Sequence, residues 1–264
     1  MLQALTREGV RPGLLIGASV GAINAAWVAG DPSPESVDRL AALWSRLDRD
    51  DVFPFQPLRG FLGFIGRQPS LISASGLRRM VEDNLAVGRL EDATIPLHTV
   101  VVDVLSGRDA LLSTGPALEA IVASAAIPGV FPPVTIDGRT YIDGGVVNNT
   151  PISHAHHAGA DQIWVLPAGY PCALAEAPSS ALGMALHGLN LLVHHRLAAD
   201  VARYEPLVDL RVVPPLCPVT VSPADFSQGA DLIERAREST ELWLLDPERP
   251  IAGQSSMFEA HGHT

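Results

Sequence analysis

Along the chain the apolar positions switch repeatedly between the spacing of a helix and that of a strand. Leu2 to Glu8 reads as the tail of a helix stopped by Gly9, a residue type favoured just past a helix end. Pro12-Gly13-Leu14-Leu15-Ile16 reads as a short buried strand, and the alanine-rich run Val20 to Ala29 as a helix closed by Gly30. Asp31-Pro32-Ser33-Pro34-Glu35 is a helix start with proline in its first turn, and Val37, Leu40, Leu43, Trp44 and Leu47 then mark one buried face. From Val52 to Ser73 the pattern breaks down. Phe53, Phe55, Phe61 and Phe64 sit among Pro54, Pro57, Gly60, Gly63, Gly66 and Pro69, which predicts irregular apolar chain, open to use as core packing or as a lipid-entry lid.

Regular elements resume with a helix from Ser75 to Leu85. His98 to Leu105 is a strand, Ser106-Gly107-Arg108 a turn and Ala110 to Ser113 its hairpin partner. Pro116 to Ala125 reads as a helix, and a proline-rich loop leads to a hairpin from Val134 to Tyr141. Beyond it come helices at Ile152–Ala158, from Ser179 to about Arg203 and at Ala230–Leu245, with strands at Gln162–Leu166 and Val208–Val213. Strands alternating with helices predict a three-layer α/β/α fold with a mainly parallel central sheet. One domain is expected over residues 1–252, with a flexible tail over 253–264.

Composition narrows the function classes. The chain of 264 residues has a formal net charge of −11, and all 18 of its positive residues are arginine. That balance argues against an extended nucleic-acid footprint and against attachment to anionic lipid by charge alone, so any peripheral membrane contact is expected to be mainly apolar. Cys172 and Cys217 make no disulfide framework and read as buried free thiols. The first residues lack the apolar run of a signal peptide, which makes a cytoplasmic location the expectation.

Two glycine-rich turns carry candidate chemistry. Gly17-Ala18-Ser19-Val20-Gly21 follows a strand and opens a helix, the setting in which small flanking residues let a serine hydroxyl project from a strained turn. The N-terminus of that helix, from Val20 onward, points N–H groups toward a developing oxyanion. Asp143-Gly144-Gly145 places a carboxylate on a second turn whose glycines allow close approach of another element. Of the nine histidines, His154, His156 and His157 lie close together, as do His187, His194 and His195, but no neighbouring cysteine or acidic pair completes a metal site. A Ser19–Asp143–His157 triad would respect the chain order of many hydrolases, although such folds normally place the nucleophile after several strands.

These turns, with Asp103 after the central strand and the Ala123-Ser124-Ala125-Ala126-Ile127-Pro128-Gly129-Val130-Phe131-Pro132-Pro133 segment, resemble the patatin-like phospholipase family from about Met1 to Leu166. The resemblance implies a lipid acyl hydrolase, of phospholipase A or carboxylesterase type, that needs no metal or cofactor. It implies Ser19 as nucleophile and Asp143 as base, working through an acyl-enzyme. Gly17, Val20 and Gly21 would support the elbow and oxyanion, and Gly144 and Gly145 the base loop. The substrate would be a lipid or other ester; oligomeric state is left open. An acyltransferase with the same dyad is the alternative, and a weakly active lipid-binding remnant a second. The second arises because the family's glycine-rich oxyanion loop and the strand before it precede the helix in which this chain begins. Met1 is therefore expected to stand at an interior helix position, with the coding start upstream.

Overall fold

Alanine on the inner side of a helix lets its axis approach a sheet closely, and two such helices frame the part of the fold that carries the candidate site. The structure is a computed structural model and describes residues 1–54, 56–167, 177–216, 219 and 225–246. In chain order its elements are α1 (Leu2–Arg7), β1 (Leu15–Ala18), α2 (Val20–Gly30), α3 (Pro34–Trp44), α4 (Arg49–Val52), α5 (Pro57–Phe64) and α6 (Ser75–Asn84). A single 3-10 turn at Leu90–Asp92 precedes β2 (Leu97–Asp103), β3 (Asp109–Leu112), α7 (Ala117–Ser124), β4 (Val134–Ile136) and β5 (Arg139–Asp143). The chain continues through α8 (Gly145–Asn148), α9 (Ile152–His157), β6 (Gln162–Val165), α10 (Ala181–Tyr204), β7 (Asp209–Val212) and α11 (Gly229–Leu245).

These elements fall into two compact units. The first holds the described residues of Val10–Asn149 and Pro223–Ala230. Its sheet is built around β2, which is buried along Val100, Val101 and Val102. β1 runs parallel to β2, pairing Leu15 with Leu97 through Ala18 with Val100. β3 and β5 run antiparallel to it, and β4 pairs with β5. The α/β class expected from the sequence stands, with a mixed sheet. Two of its antiparallel pairs, β2–β3 and β4–β5, are hairpins, since connections this short cannot make the crossover a parallel pair needs; the third, β2–β5, joins strands distant in sequence. The tighter one turns at Asp137-Gly138, both with positive φ (48° and 76°), the arrangement that matches strand twist in a two-residue loop. α2 and α7 pack on this sheet. They do so through Ala22, Ala25, Ala26 and Ala29 on α2, and Ala117, Ala120 and Ala123 on α7.

The second unit holds the described residues of Met1–Gly9, Thr150–Ser222 and Asp231–Thr264. There β6 and β7 pair in parallel. Ile152, Ile163, Val165, Leu197, Val201, Tyr204, Leu210 and Val212 form one core cluster. Its polar groups are closely matched: the Arg211 guanidinium lies 5.1 Å from the centre of the Trp164 ring and bonds Asp209. Arg237 on α11 bridges Glu234 and Glu241.

The main departure from the sequence pattern lies in residues 52–73, expected to be irregular. Pro57 stands in the first turn of α5, where its missing N–H costs nothing, so proline starts a helix there instead of preventing one. Phe53, from the same stretch, stacks on Phe131 with ring centres 5.3 Å apart and packs near Phe226. Cys172, Cys217 and the expected tail at 253–264 lie outside the described residues. Among the described residues no helix is long and apolar enough to cross a membrane.

Candidate active site

Strand register brings the two glycine turns together. β3 pairs with residues 99–102 of β2 and so occupies one of its edges. β1 ends on the opposite edge with Ala18 beside Val100, and β5, arriving from the other direction, ends there with Asp143 beside Val101. The carboxyl ends of two strands thus meet head to head on consecutive residues of one edge. Ser19 and Asp143, distant in sequence, become neighbours through this geometry.

The serine turn is strained. Ser19 has φ 54° and ψ −129°, a region a non-glycine residue enters only when its surroundings enforce it. What enforces it is visible. A Cβ at Gly17 would lie 2.3 Å from the Gly21 carbonyl oxygen, so strand and helix cross with no room for a side chain. The Ser19 N–H donates to both the carbonyl oxygen and the Oγ of Ser124, each at 3.1 Å, and Ser124 Oγ in turn donates to the Val100 carbonyl at 2.6 Å. Ser124 is fully buried at the end of α7. It therefore ties the turn to the same residue of β2 beside which β1 ends.

The aspartate turn is close-fitting rather than strained. A Cβ at Gly144 would fall 2.2 Å from the Val100 carbonyl oxygen, and one at Gly145 would fall 2.6 Å from Asn149 Oδ1. Asp143 N–H donates to the Ala126 carbonyl at 3.0 Å. The side chain is 4% exposed. Its Oδ1 accepts the Gly145 N–H at 2.7 Å, and its Oδ2 accepts the Ser19 hydroxyl at 2.6 Å. Burial pushes the carboxyl up to about 6, against the lowering effect of the Ser19 and Gly145 hydrogen bonds.

The other candidates sort as follows. Val20 and Gly21 form the first turn of α2, whose leading N–H groups have no carbonyl of their own helix to bond. Among the described residues, no atom outside its own turn of helix lies within 4 Å of a Cβ built on Gly21, so its smallness is not required by packing as that of Gly17 is. Asp103 accepts the N–H groups of Leu105 and Ser106, which hold its carboxyl below the usual range, and so closes the β2–β3 turn. His156, on α9 in the second unit, lies with its ring tilted against that of Tyr204 on α10, the centres 5.3 Å apart. Among the described residues no group of three or more histidine, cysteine, aspartate or glutamate side chains could hold a metal ion. Ser124 had no role in the sequence reading. Its only signal was its place in the Ala123–Pro133 segment, which does not reveal a bond to a turn more than a hundred residues away.

The profile of the patatin-like phospholipase family matches residues 1–156, and the chain belongs to that family. It is 25% identical over 174 residues to the neuropathy target esterase sws of Drosophila melanogaster, covering 64% of this chain and 12% of that protein. It is 24% identical over 239 residues to the lysophospholipase NTE1 of Pyricularia oryzae, covering 89% of this chain and 14% of that one. An uncharacterized NTE family protein of Mycobacterium bovis is 36% identical over 96 residues, 34% of this chain and 27% of its own. The chain thus spans a minor part of the length of these relatives. Among solved structures, VipD from Legionella pneumophila aligns with a TM-score of 0.41 at 14% identity, over 91% of this chain and 64% of its own.

Proposed function

We propose that this chain hydrolyses carboxylic esters of lipids through Ser19 and Asp143. One observation carries the reading: the Ser19 hydroxyl donates directly to a buried carboxylate at 2.6 Å, from a strained turn at a helix N-terminus. In the first step Asp143 Oδ2 takes the hydroxyl proton as Ser19 Oγ bonds the acyl carbonyl carbon. The carbonyl oxygen becomes an oxyanion facing the Val20 and Gly21 N–H groups. Collapse breaks the ester bond, and the departing alcohol takes the proton from Asp143, leaving an acyl-serine. Water then repeats the sequence, giving its proton to Asp143 and releasing the fatty acid as Ser19 Oγ recovers the proton. A carboxyl raised to about 6 suits both halves, being ionised at neutral pH yet basic enough to accept a proton.

Direct Ser19–Asp143 contact favours a dyad over a triad, since an imidazole would have to stand between the two groups. Membership of the family and likeness to a protein named lysophospholipase support single-chain lipid esters as substrates. The test is labelling with a fluorophosphonate and hydrolysis of lysophosphatidylcholine. Ser19 is expected to carry the label, and Ser19→Ala to abolish both signals. Full activity in Ser19→Ala, with label on another serine, would end the proposal. Products formed with an added alcohol acceptor separate hydrolysis from acyl transfer.

A further inference from the structure

Residues 52–81 contain four arginines and no acidic residue, but Asp50, Asp51, Glu82 and Asp83 flank them, Arg78 pairs with Glu119 and Arg59 bonds Ser70, which leaves Arg67 as the cation next to α5. Within this stretch α5 is turned inside out. Leu58, Phe61, Phe64 and Ile65 are exposed, at 72%, 60%, 85% and 45%. At 100° per residue they span an arc of about 120°, the width of a helix's buried stripe.

The opposite side of α5 explains the orientation. A Cβ at Gly63 would lie 2.6 Å from the Ser70 carbonyl oxygen, so the glycine side is pressed against the chain that follows. Arg59 Nη2 donates to Ser70 Oγ at 3.2 Å. Leu71 and Ile72 donate their N–H groups to the Gly129 and Val130 carbonyls at 2.8 and 3.0 Å. That loop begins just after Ala126, whose carbonyl holds the Asp143 N–H. The apolar face is therefore fixed outward, on a scaffold bonded to the loop that leads into the candidate active site.

We infer that the exposed face of α5, with Arg67 at its end, docks on an anionic lipid surface and holds the active site against it. Phenylalanine and leucine side chains would enter the boundary between headgroups and acyl chains, while arginine lies at headgroup level beside lipid phosphates. The apolar side chains carry most of the attachment, and Arg67 beside them adds a short-range attraction to lipid phosphates that acts within a Debye length of the surface. The inference deepens the lipid-hydrolase reading, but its test does not depend on turnover.

The experiment is flotation of the full chain with vesicles of phosphatidylcholine alone and of phosphatidylcholine mixed with phosphatidylglycerol, at low and high salt. The expected result is binding to the mixed vesicles that weakens with salt. It should fall at least about tenfold in the double variant Phe61→Ser/Phe64→Ser, and more modestly in Arg67→Gln on anionic vesicles only. Unchanged thermal midpoints exclude misfolding, and Ser19→Ala should float like the parent. Failure of the parent to bind, or binding unaffected by the double variant, overturns the inference. So does a parent dimer that the double variant converts to monomer, since the face would then be occupied by a second copy. Loss of esterase activity in Ser19→Ala without any flotation of the parent would leave the hydrolase reading standing and remove this one.

Discussion

The two turns that meet on the edge of β2 reach one place by different physical means. At Ser19 the demand is conformational: the residue sits at φ 54° because Gly17 passes under the Gly21 carbonyl and Ser124 holds its N–H. At Asp143 the backbone is still part of the ladder, paired with Val101, and the demand is electrostatic instead. The carboxyl has lost its water and has two hydrogen-bond donors, from Ser19 and Gly145, in return. Both turns lower the stability of the fold, one through strain and one through desolvation. Substitutions should therefore separate them.

The largest effect is expected at the desolvated turn. Asp143→Asn keeps the shape but cannot take the Ser19 proton, so kcat/KM should fall by about 10²–10⁴, the range for losing a general base. Stability should move the other way. A carboxyl raised from 3.8 to about 6 contributes stability that is fully present below the unfolded value and is lost as pH rises through 6. Above that pH the native state carries a penalty of about 3 kcal/mol, which the neutral amide lacks. Thermal unfolding at pH 8 should show Asp143→Asn as the more stable protein, with the gap closing toward pH 4. In the parent, kcat/KM should fall below an apparent pKa of about 6 as Asp143 becomes protonated. An Asn variant that is both active within tenfold and no more stable at pH 8 would remove Asp143 as a buried base.

A smaller effect is expected at the strained turn when its tie is cut and Ser19 itself is kept. Ser124→Ala removes the hydroxyl that bonds Val100 and shares the Ser19 N–H, leaving those groups short of a partner at a cost of about 1–3 kcal/mol. Because Ser124 is fully buried behind the turn it holds, kcat should fall by about tenfold with KM little changed, as for a lost transition-state alignment. Ser124→Thr, which restores a hydroxyl, should recover part of the loss. An equal rise in KM, or no rescue, would mean that Ser124 acts only in packing.

How much of this could be read in the chain follows from the range of the interactions involved. Both turns were legible because their requirements are local: small residues at Gly17, Gly144 and Gly145, and a strand before each turn. α2, α3, α6 and α7 were legible from their apolar spacing, to within a few residues at their ends, while the short helices α4 and α8 were not. The head-to-head arrival of β1 and β5 on one edge of β2 was not, because register between distant strands leaves no local mark. Ser124 escaped for the same reason. Residues 52–73 were misleading in another way: prolines and glycines that usually break regular structure here start α5 at Pro57 and seat it through Gly63. The phenylalanines then divide, Phe53 packing inward against Phe131 while Phe61 and Phe64 remain outside.

The smallest effect should come at Gly21 of the serine turn, and Gly17 of the same motif is expected to behave oppositely. A methyl at Gly17 would press on the Gly21 carbonyl and Ala22 nitrogen, backbone atoms that cannot give way, so Gly17→Ala should destabilise by about 3 kcal/mol or more, the upper end of overpacking. A Cβ at Gly21 meets no atom of the described residues beyond its own turn of helix within 4 Å. There the backbone is helical, and alanine is favoured over glycine in a helix by up to about 1 kcal/mol. Gly21→Ala should therefore leave the thermal midpoint unchanged or slightly raised. If the space beside Gly21 is where the acyl group lies over the helix N-terminus, its activity should still fall, by a few-fold and more for long acyl chains than for short ones. Thermal melts with kcat/KM on a short and a long ester decide it. A destabilised Gly21→Ala would mean that the fold itself requires glycine there. A stable variant with undiminished activity on both esters would place the substrate elsewhere along the edge of the turn.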